Sequence, residues 1–160
     1  MAYIQDKDTV RANFKGARIL VVEDNDDYWL LIRQAIAQVL PEVSPIRATS
    51  YEETHDLLVE WARDEWEMPK LVLLDLYLPE RSQGWKVLAH IREMDPPFNQ
   101  LPVVLLSSSS ENADITEAYN RGGSAYLVKP TVFPDWIEYF KQLRSYWWET
   151  VTLPTMRPSF

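Results

Sequence analysis

Five residues of four chemical kinds occupy one recurring position in this chain. Glu23 and Asp24 follow the apolar run Ile19 to Val22, Asp75 follows Leu71 to Leu74, Ser107 follows Val103 to Leu106, and Lys129 follows Tyr126 to Val128. Runs that are apolar at every position are strands buried on both faces, as in a parallel sheet covered by helices. The carboxyl ends of such strands share one edge of the sheet, where ligands bind at the point of topological reversal. Glu23, Asp24, Asp75, Ser107 and Lys129 are therefore expected to meet in space.

Three carboxylates converging without relief repel one another and raise their pKa values, so a cation is expected among them. Mg²⁺ suits the site, because it prefers hard oxygen ligands and often binds through one or two carboxylates plus a phosphate. Asp24 and Asp75 would supply those carboxylates, and Glu23 would hold a metal-bound water. Asp75, at the middle of the cluster, is the candidate nucleophile. A carboxylate can form an acyl phosphate, and such transfer depends mainly on positioning and charge neutralisation. Lys129 would pair first with that carboxylate and then with a phosphoryl oxygen, while the Ser107 hydroxyl donates to another.

Taken singly, each residue has a commonplace reading: acids at a helix start, a serine in a turn, a solvated loop lysine. Suitable chemistry at four separate strand ends, in a suitable order, favours a site. The chain has no Cys, and its two histidines, His55 and His90, are predicted on helices away from this edge. They are read as helix-surface residues without a role, and zinc has poor support at the acidic cluster.

The elements that must position these groups are legible as β-α units. Asp26 and Asp27 open a helix whose apolar face holds Trp29, Leu30, Ile32, Ile36, Val39 and Leu40. Ser50 and Glu53 have the form of a capping box before Leu57, Leu58 and Trp61. Later helices fit Trp85 to Met94, Asn112 to Asn120 and Pro134 to Trp148. A further strand is expected near Val43 to Ala48, at the sheet margin, because Pro45 removes a ladder donor. Five β-α units with right-handed crossovers bury both sheet faces. In the last helix, Trp136, Phe140, Leu143 and Trp147 are spaced for the core, leaving Tyr139, Tyr146 and Trp148 for an exposed patch. The expected division is an N-terminal extension over 1–17, one domain over 18–149 and a tail over 150–160, with both ends as extended arms.

Composition narrows the function classes. Hydrophobic residues make up 46% and charged residues 25%, which suits a folded globular domain. The formal charge is −8, from 24 acids against 16 Lys and Arg, and no basic run follows a phosphate backbone, so nucleic acid is not an expected partner. No apolar stretch approaches the ~20 residues of a membrane-spanning helix, and the first sixteen residues lack a secretory core. A cytoplasmic protein without a membrane partner is expected.

These motifs resemble the response-regulator receiver family over about Arg18 to Trp148. ILVVEDN supplies the acidic pair, LVLLDLYLP the phosphoacceptor Asp75, VVLLSSS the hydroxyl residue Ser107, and GGSAYLVKP the switch aromatic Tyr126 with Lys129. The resemblance implies an α/β flavodoxin-like receiver fold, a doubly wound five-stranded parallel sheet in the order 2-1-3-4-5. It also implies that the Tyr77 backbone carbonyl is a further Mg²⁺ ligand, and that the phosphoryl group comes from a phosphohistidine on a histidine kinase or phosphotransfer protein. Phosphorylation would draw Ser107 inward, let Tyr126 follow, and alter the face formed by the last two helices and the strand between them. The sequence departs from the family in PERSQG, where Gly84 stands five residues after Pro79 instead of four. The aromatic last helix and the tail with Leu153 and Pro154 are similar to stand-alone regulators paired with phytochrome-type kinases, in which such surfaces mediate homodimers.

About a dozen residues follow the last helix, fewer than an output domain needs, so a single-domain regulator that switches partners is expected. It would catalyse only its own phosphorylation and dephosphorylation. A phosphohydrolase with an aspartyl-phosphate intermediate is the enzyme alternative, but such enzymes resemble one another in a second acid two residues after the nucleophile, where this chain has Tyr77. A phosphate-independent pseudo-receiver would not need the full set Glu23, Asp24, Asp75, Ser107 and Lys129.

Overall fold

In the computed structural model, which describes residues 7–64, 67–151 and 153–154, the apolar runs pair into a parallel sheet. Its strands are β1 (Arg18–Val22), β2 (Ser44–Ala48), β3 (Leu71–Asp75), β4 (Val103–Ser107) and β5 (Ala125–Val128). Their order is β2-β1-β3-β4-β5, the doubly wound flavodoxin-like arrangement. Pro45 sits opposite Ile19 on β2, and β2 is an edge strand as its missing N–H requires.

Among the described residues six α-helices accompany the sheet: α1 (Lys7–Phe14), α2 (Asp26–Val39), α3 (Tyr51–Arg63), α4 (Arg81–Glu93), α5 (Asn112–Asn120) and α6 (Phe133–Leu143). Successive strand residues point to opposite faces. Leu20, Val22, Val72 and Leu74 therefore pack with Leu58 and Trp61 of α3, Trp85, Leu88 and Ile91 of α4, and Ala118 of α5. Ile19, Val21, Leu71 and Leu73 pack with Ile32 and Ile36 of α2 and with Trp136 and Phe140 of α6. Both faces of the central strands are thereby closed to water, whereas β5 at the sheet margin is only partly covered and Val128 is exposed, against the expectation of a run buried on both faces.

Caps set the helix starts near the sheet's functional edge. The Asn25 side chain accepts from Tyr28 N at 2.9 Å, and the Ser50 hydroxyl accepts from Glu53 N at 3.1 Å. Only half of the capping box forms, since the Glu53 carboxylate is met by the Thr49 hydroxyl at 2.9 Å. The α4 helix begins at Arg81, four residues before the expected Trp85. Gly84 explains how: a Cβ there would lie 2.0 Å from the Leu76 carbonyl oxygen, so the first turn of α4 rests directly on the backbone that follows Asp75. The longer PERSQG spacing thus still delivers a glycine to that contact.

Two expectations give way. The described part of the segment before β1 is not an extended arm; residues 7–14 form α1, the side chain of buried Asn13 ties it to the other end of the chain, and residues 1–6 lie outside the described residues. Asn13 Nδ2 donates to the carbonyls of Trp148 at 2.9 Å and Val151 at 2.7 Å, and its Oδ1 accepts from Leu153 N at 3.1 Å. Leu153 is buried beside Trp148, so the tail returns to the core at that point, while Thr152 and residues 155–160 lie outside the described residues. The last helix also changes pitch. Arg144–Trp148 is a π-helical turn, with Glu149 N donating to Arg144 O and Val151 N to Tyr146 O. The extra residue in that turn rotates the phase, so Trp148 is fully buried and Trp147 only partly, the reverse of the α-helical expectation. Tyr139 is half-buried against Trp136 and Phe140, which leaves Tyr146 as the exposed member of the expected patch.

Gly84→Ala should cost about 2 to 3 kcal/mol, because a methyl group meets backbone rather than a movable side chain. Urea denaturation measures this, and a variant as stable as the parent would mean that α4 does not rest on Leu76.

Candidate functional site

Parallel pairing carries each singled-out residue to the same edge, and ladder-like bonds continue past the strand ends to hold them there. Glu23 N donates to Ala48 O at 2.9 Å, Leu76 N to Leu106 O at 2.9 Å, and Lys129 N to Ser107 O at 2.8 Å. Glu23 and Ser107 are fully buried, Asp75 is 4% exposed and Lys129 8%, whereas Asp24 stands at the exposed rim. One carboxylate oxygen from each of Glu23, Asp24 and Asp75 lies within 4.8 Å of the others.

Lys129 holds the buried part of this cluster together. Its Nζ is 2.6 Å from Glu23 Oε1 and 3.2 Å from Asp75 Oδ2, and it lies 4.1 Å from the centroid of the Tyr28 ring. Burial opposes the ammonium, but the hydrogen bond to Glu23 and the charges of Asp75 and Glu23 outweigh it, so the Lys129 pKa is raised. Glu23 is pushed up to about 8, first by burial and then by its hydrogen bond to Asp75 and the Asp75 charge, against the pull of Lys129. Asp75 is held from the other side, where Tyr77 N donates to Oδ1 at 3.1 Å.

Next to the carboxylates is a depression of about 350 Å³ lined by Asp75, Tyr77, Ser108, Ser109 and Lys129. It shares Tyr77, Ser108 and Ser109 with a larger one of about 700 Å³, whose wall includes Arg81 and Asp114, joined as an ion pair. The Ser107 hydroxyl accepts from Ser109 N at 3.1 Å, and Ser109 O accepts from the Tyr126 hydroxyl at 2.7 Å. Ser107 and Tyr126 are thus linked through one loop residue. The cis peptide bonds among the described residues are Leu78–Pro79 and Pro96–Pro97, so Lys129–Pro130 is trans.

Of the seven residues singled out for chemistry or switching, Glu23, Asp24, Asp75, Tyr77, Ser107 and Lys129 fall at this edge or on the loops beside it, while Tyr126 lies within β5 and reaches the loop through its hydroxyl. Sequence reasoning missed Arg47 and Tyr28. Arg47 Nε donates to Glu23 O at 3.0 Å and its Nη2 to Asp24 O at 3.3 Å, bracing the backbone of the acidic pair from the edge strand. The Val21 to Arg47 register between β1 and β2 places it there, and no local pattern announces that register. Three convergent carboxylates without any sulfur or imidazole form a donor set that suits a hard divalent cation such as Mg²⁺ or Mn²⁺.

Among the described residues no helix is long and apolar enough to cross a membrane. Comparison with known proteins agrees with the geometry. The response regulator receiver domain family matches residues 19–141. Response regulator Rcp1 of Synechocystis is 38% identical over 86 residues, which is 54% of this chain and 57% of that protein, less than two thirds of the relative's length. The crystal structure of response regulator RPA3017 in red light signalling of R. palustris superposes with a TM-score of 0.77 at 34% identity, covering 88% of this chain and 99% of that one. The phosphorylated cyanobacterial phytochrome response regulator RcpA gives 0.75 at 32% identity, covering 87% and 99%. A family match over most of the chain, on a fold whose strand ends carry the family's motifs, means that this protein belongs to the response regulator receiver domain family.

Proposed function

We propose that this protein is a single-domain response regulator that accepts a phosphoryl group on Asp75 from the phosphohistidine of a histidine kinase or phosphotransfer protein. The observation that carries this reading is the position of Asp75: a nearly buried carboxylate, open to a depression on one side, paired with Lys129 at 3.2 Å and flanked by Glu23 and Asp24. Mg²⁺ would be held by Asp24, Asp75 and the Tyr77 backbone carbonyl, with Glu23 holding a metal-bound water, and would supply charge neutralisation for the incoming phosphoryl oxygens.

In the transfer itself an Asp75 carboxylate oxygen bonds to phosphorus as the phosphorus–nitrogen bond of the donor breaks, and the imidazole leaves with the bonding pair. Lys129 already donates to Asp75 and needs only a small movement to meet a phosphoryl oxygen. Ser107 accepts from Ser109 N, and its own hydroxyl hydrogen remains to be donated to another phosphoryl oxygen. A shift of Ser107 toward Asp75 displaces Ser109, and with it the carbonyl that anchors Tyr126. The switch would be read on the α5-β5-α6 face, where Tyr119, Val128 and Val132 are exposed. Pairing of the last helix between two copies gives a homodimer, and the likeness to red-light and phytochrome response regulators favours a phytochrome-type kinase in the cytoplasm as donor.

Incubation with Mg²⁺ and acetyl phosphate or beryllofluoride should load the protein with one group, read by intact mass or by ¹⁹F resonance. Asp75→Asn should abolish loading, and retained modification in that variant would refute the assignment. Lys129→Ala should lose about 3 kcal/mol of stability in urea, less when Mg²⁺ is present, because it leaves Glu23 and Asp75 buried beside each other. Equal stability would mean that Lys129 does not neutralise them. Sedimentation should show a larger dimer fraction with beryllofluoride than without, and a monomer under both conditions removes the dimer.

A further inference from the structure

The chain has only two histidines, and the fold brings them face to face. His55 lies on α3 and His90 on α4, with ring centroids 4.8 Å apart and planes inclined by 43°. Neither lines the depression beside Asp75 or belongs to the acidic cluster. Both lie on helices as expected, but together they form a two-imidazole cluster at the α3–α4 contact.

Its details suit an electron-pair acceptor between the rings. Nε2 of His90 is buried and, among the described residues, has no hydrogen-bond partner, an arrangement that costs stability unless something pairs with it. Burial and the neighbouring His55 both lower the His90 pKa, against the opposing charge of Glu93, so the neutral ring with its lone pair prevails at neutral pH. Asp56 Oδ1 lies 3.6 Å from His55 Nδ1, on the ring position that carboxylates commonly flank in metal-bound histidines. The Tyr51 ring, 6.0 Å from His55 and 6.2 Å from His90 between centroids, walls one side. Lys86 brings a cation to that wall, 4.2 Å from the Tyr51 centroid, while Asp56 and Glu93 bring carboxylates to the imidazoles.

We propose that His55 and His90 form a bidentate site for a borderline divalent transition metal, of which Zn²⁺ is the representative ion, clamping α3 to α4. Imidazole nitrogen suits Zn²⁺, Ni²⁺ and Cu²⁺, whereas Mg²⁺ prefers oxygen, so this site and the acidic cluster select different ions. Water would complete the coordination. Binding to the folded state alone raises its stability by mass action.

The test is a calorimetric Zn²⁺ titration of the full chain in excess Mg²⁺, with melting curves run alongside. The expected result is a Zn²⁺ binding event and a raised melting temperature in the parent protein, both absent from His55→Ala and from His90→Ala. Ni²⁺ should broaden the imidazole NMR signals of both residues. Unchanged Zn²⁺ uptake in the variants overturns the proposal and sends the ion to the acidic cluster. Loss in one variant alone also overturns it, reducing the site to a single surface imidazole. If His90→Ala fails to fold, the half-buried His55 position together with the Ni²⁺ spectra decides. Beryllofluoride loading reports on Asp75 separately, so failure here leaves the receiver reading standing.

Discussion

The whole molecule is organised around the contact between Lys129 and two buried carboxylates, Glu23 and Asp75. Taking such charges out of water costs several kcal/mol each, and the cost is recovered only with close pairing and further hydrogen bonds. The sheet supplies that geometry: Glu23, Asp75 and Lys129 come from three different strand ends, and the backbone there is fixed by bonds to Ala48, Leu106 and Ser107 on the neighbouring strands. One lysine against Glu23, Asp24 and Asp75 still leaves the cluster with two negative charges in excess. The rise of Glu23 to about 8 is how the protein alone absorbs one of those two charges, by favouring the protonated acid. A divalent cation would absorb both instead, which is why electrostatic balance and the family's chemistry point to the same occupant.

Much of this is legible in residue types alone. An open parallel sheet needs apolar runs of every-position type, and those of β1, β3 and β4 stand out as buried strands. Once the runs are strands, the residue that follows each one is placed by topology, so Asp75, Ser107 and Lys129 come together before any contact between them is known. The edge position of β2 followed from Pro45, because a missing donor has one tolerable place in a ladder.

What escaped the sequence depends on contacts between distant or phase-shifted residues. Asn13 is polar, so its helix looks like an unanchored segment; its burial makes sense only beside the Trp148 and Val151 carbonyls at the far end of the chain. Trp147 and Trp148 exchange roles because one π-helical turn adds a residue, and the bonds that define the turn leave no mark in residue type. His55 and His90 meet because α3 and α4 lie side by side at one particular rotation, a quantity that amphipathic patterning fixes only coarsely.

The same division separates the rigid and the adjustable parts of the site. Glu23, Asp75 and Lys129 are pinned by backbone bonds and by one another, so a change in charge cannot be relieved by moving them far. Ser107 differs: its backbone ends β4, but its hydroxyl is committed to Ser109 N, on a loop whose next bond holds Tyr126. A new anion at Asp75 would attract the hydroxyl hydrogen that Ser109 N leaves free, and this loop would have to follow the Ser107 oxygen. On the proposed function, the route from chemistry to surface would run through Ser107, Ser109 and Tyr126, because Glu23 and Lys129, the other buried groups against Asp75, are already held in place.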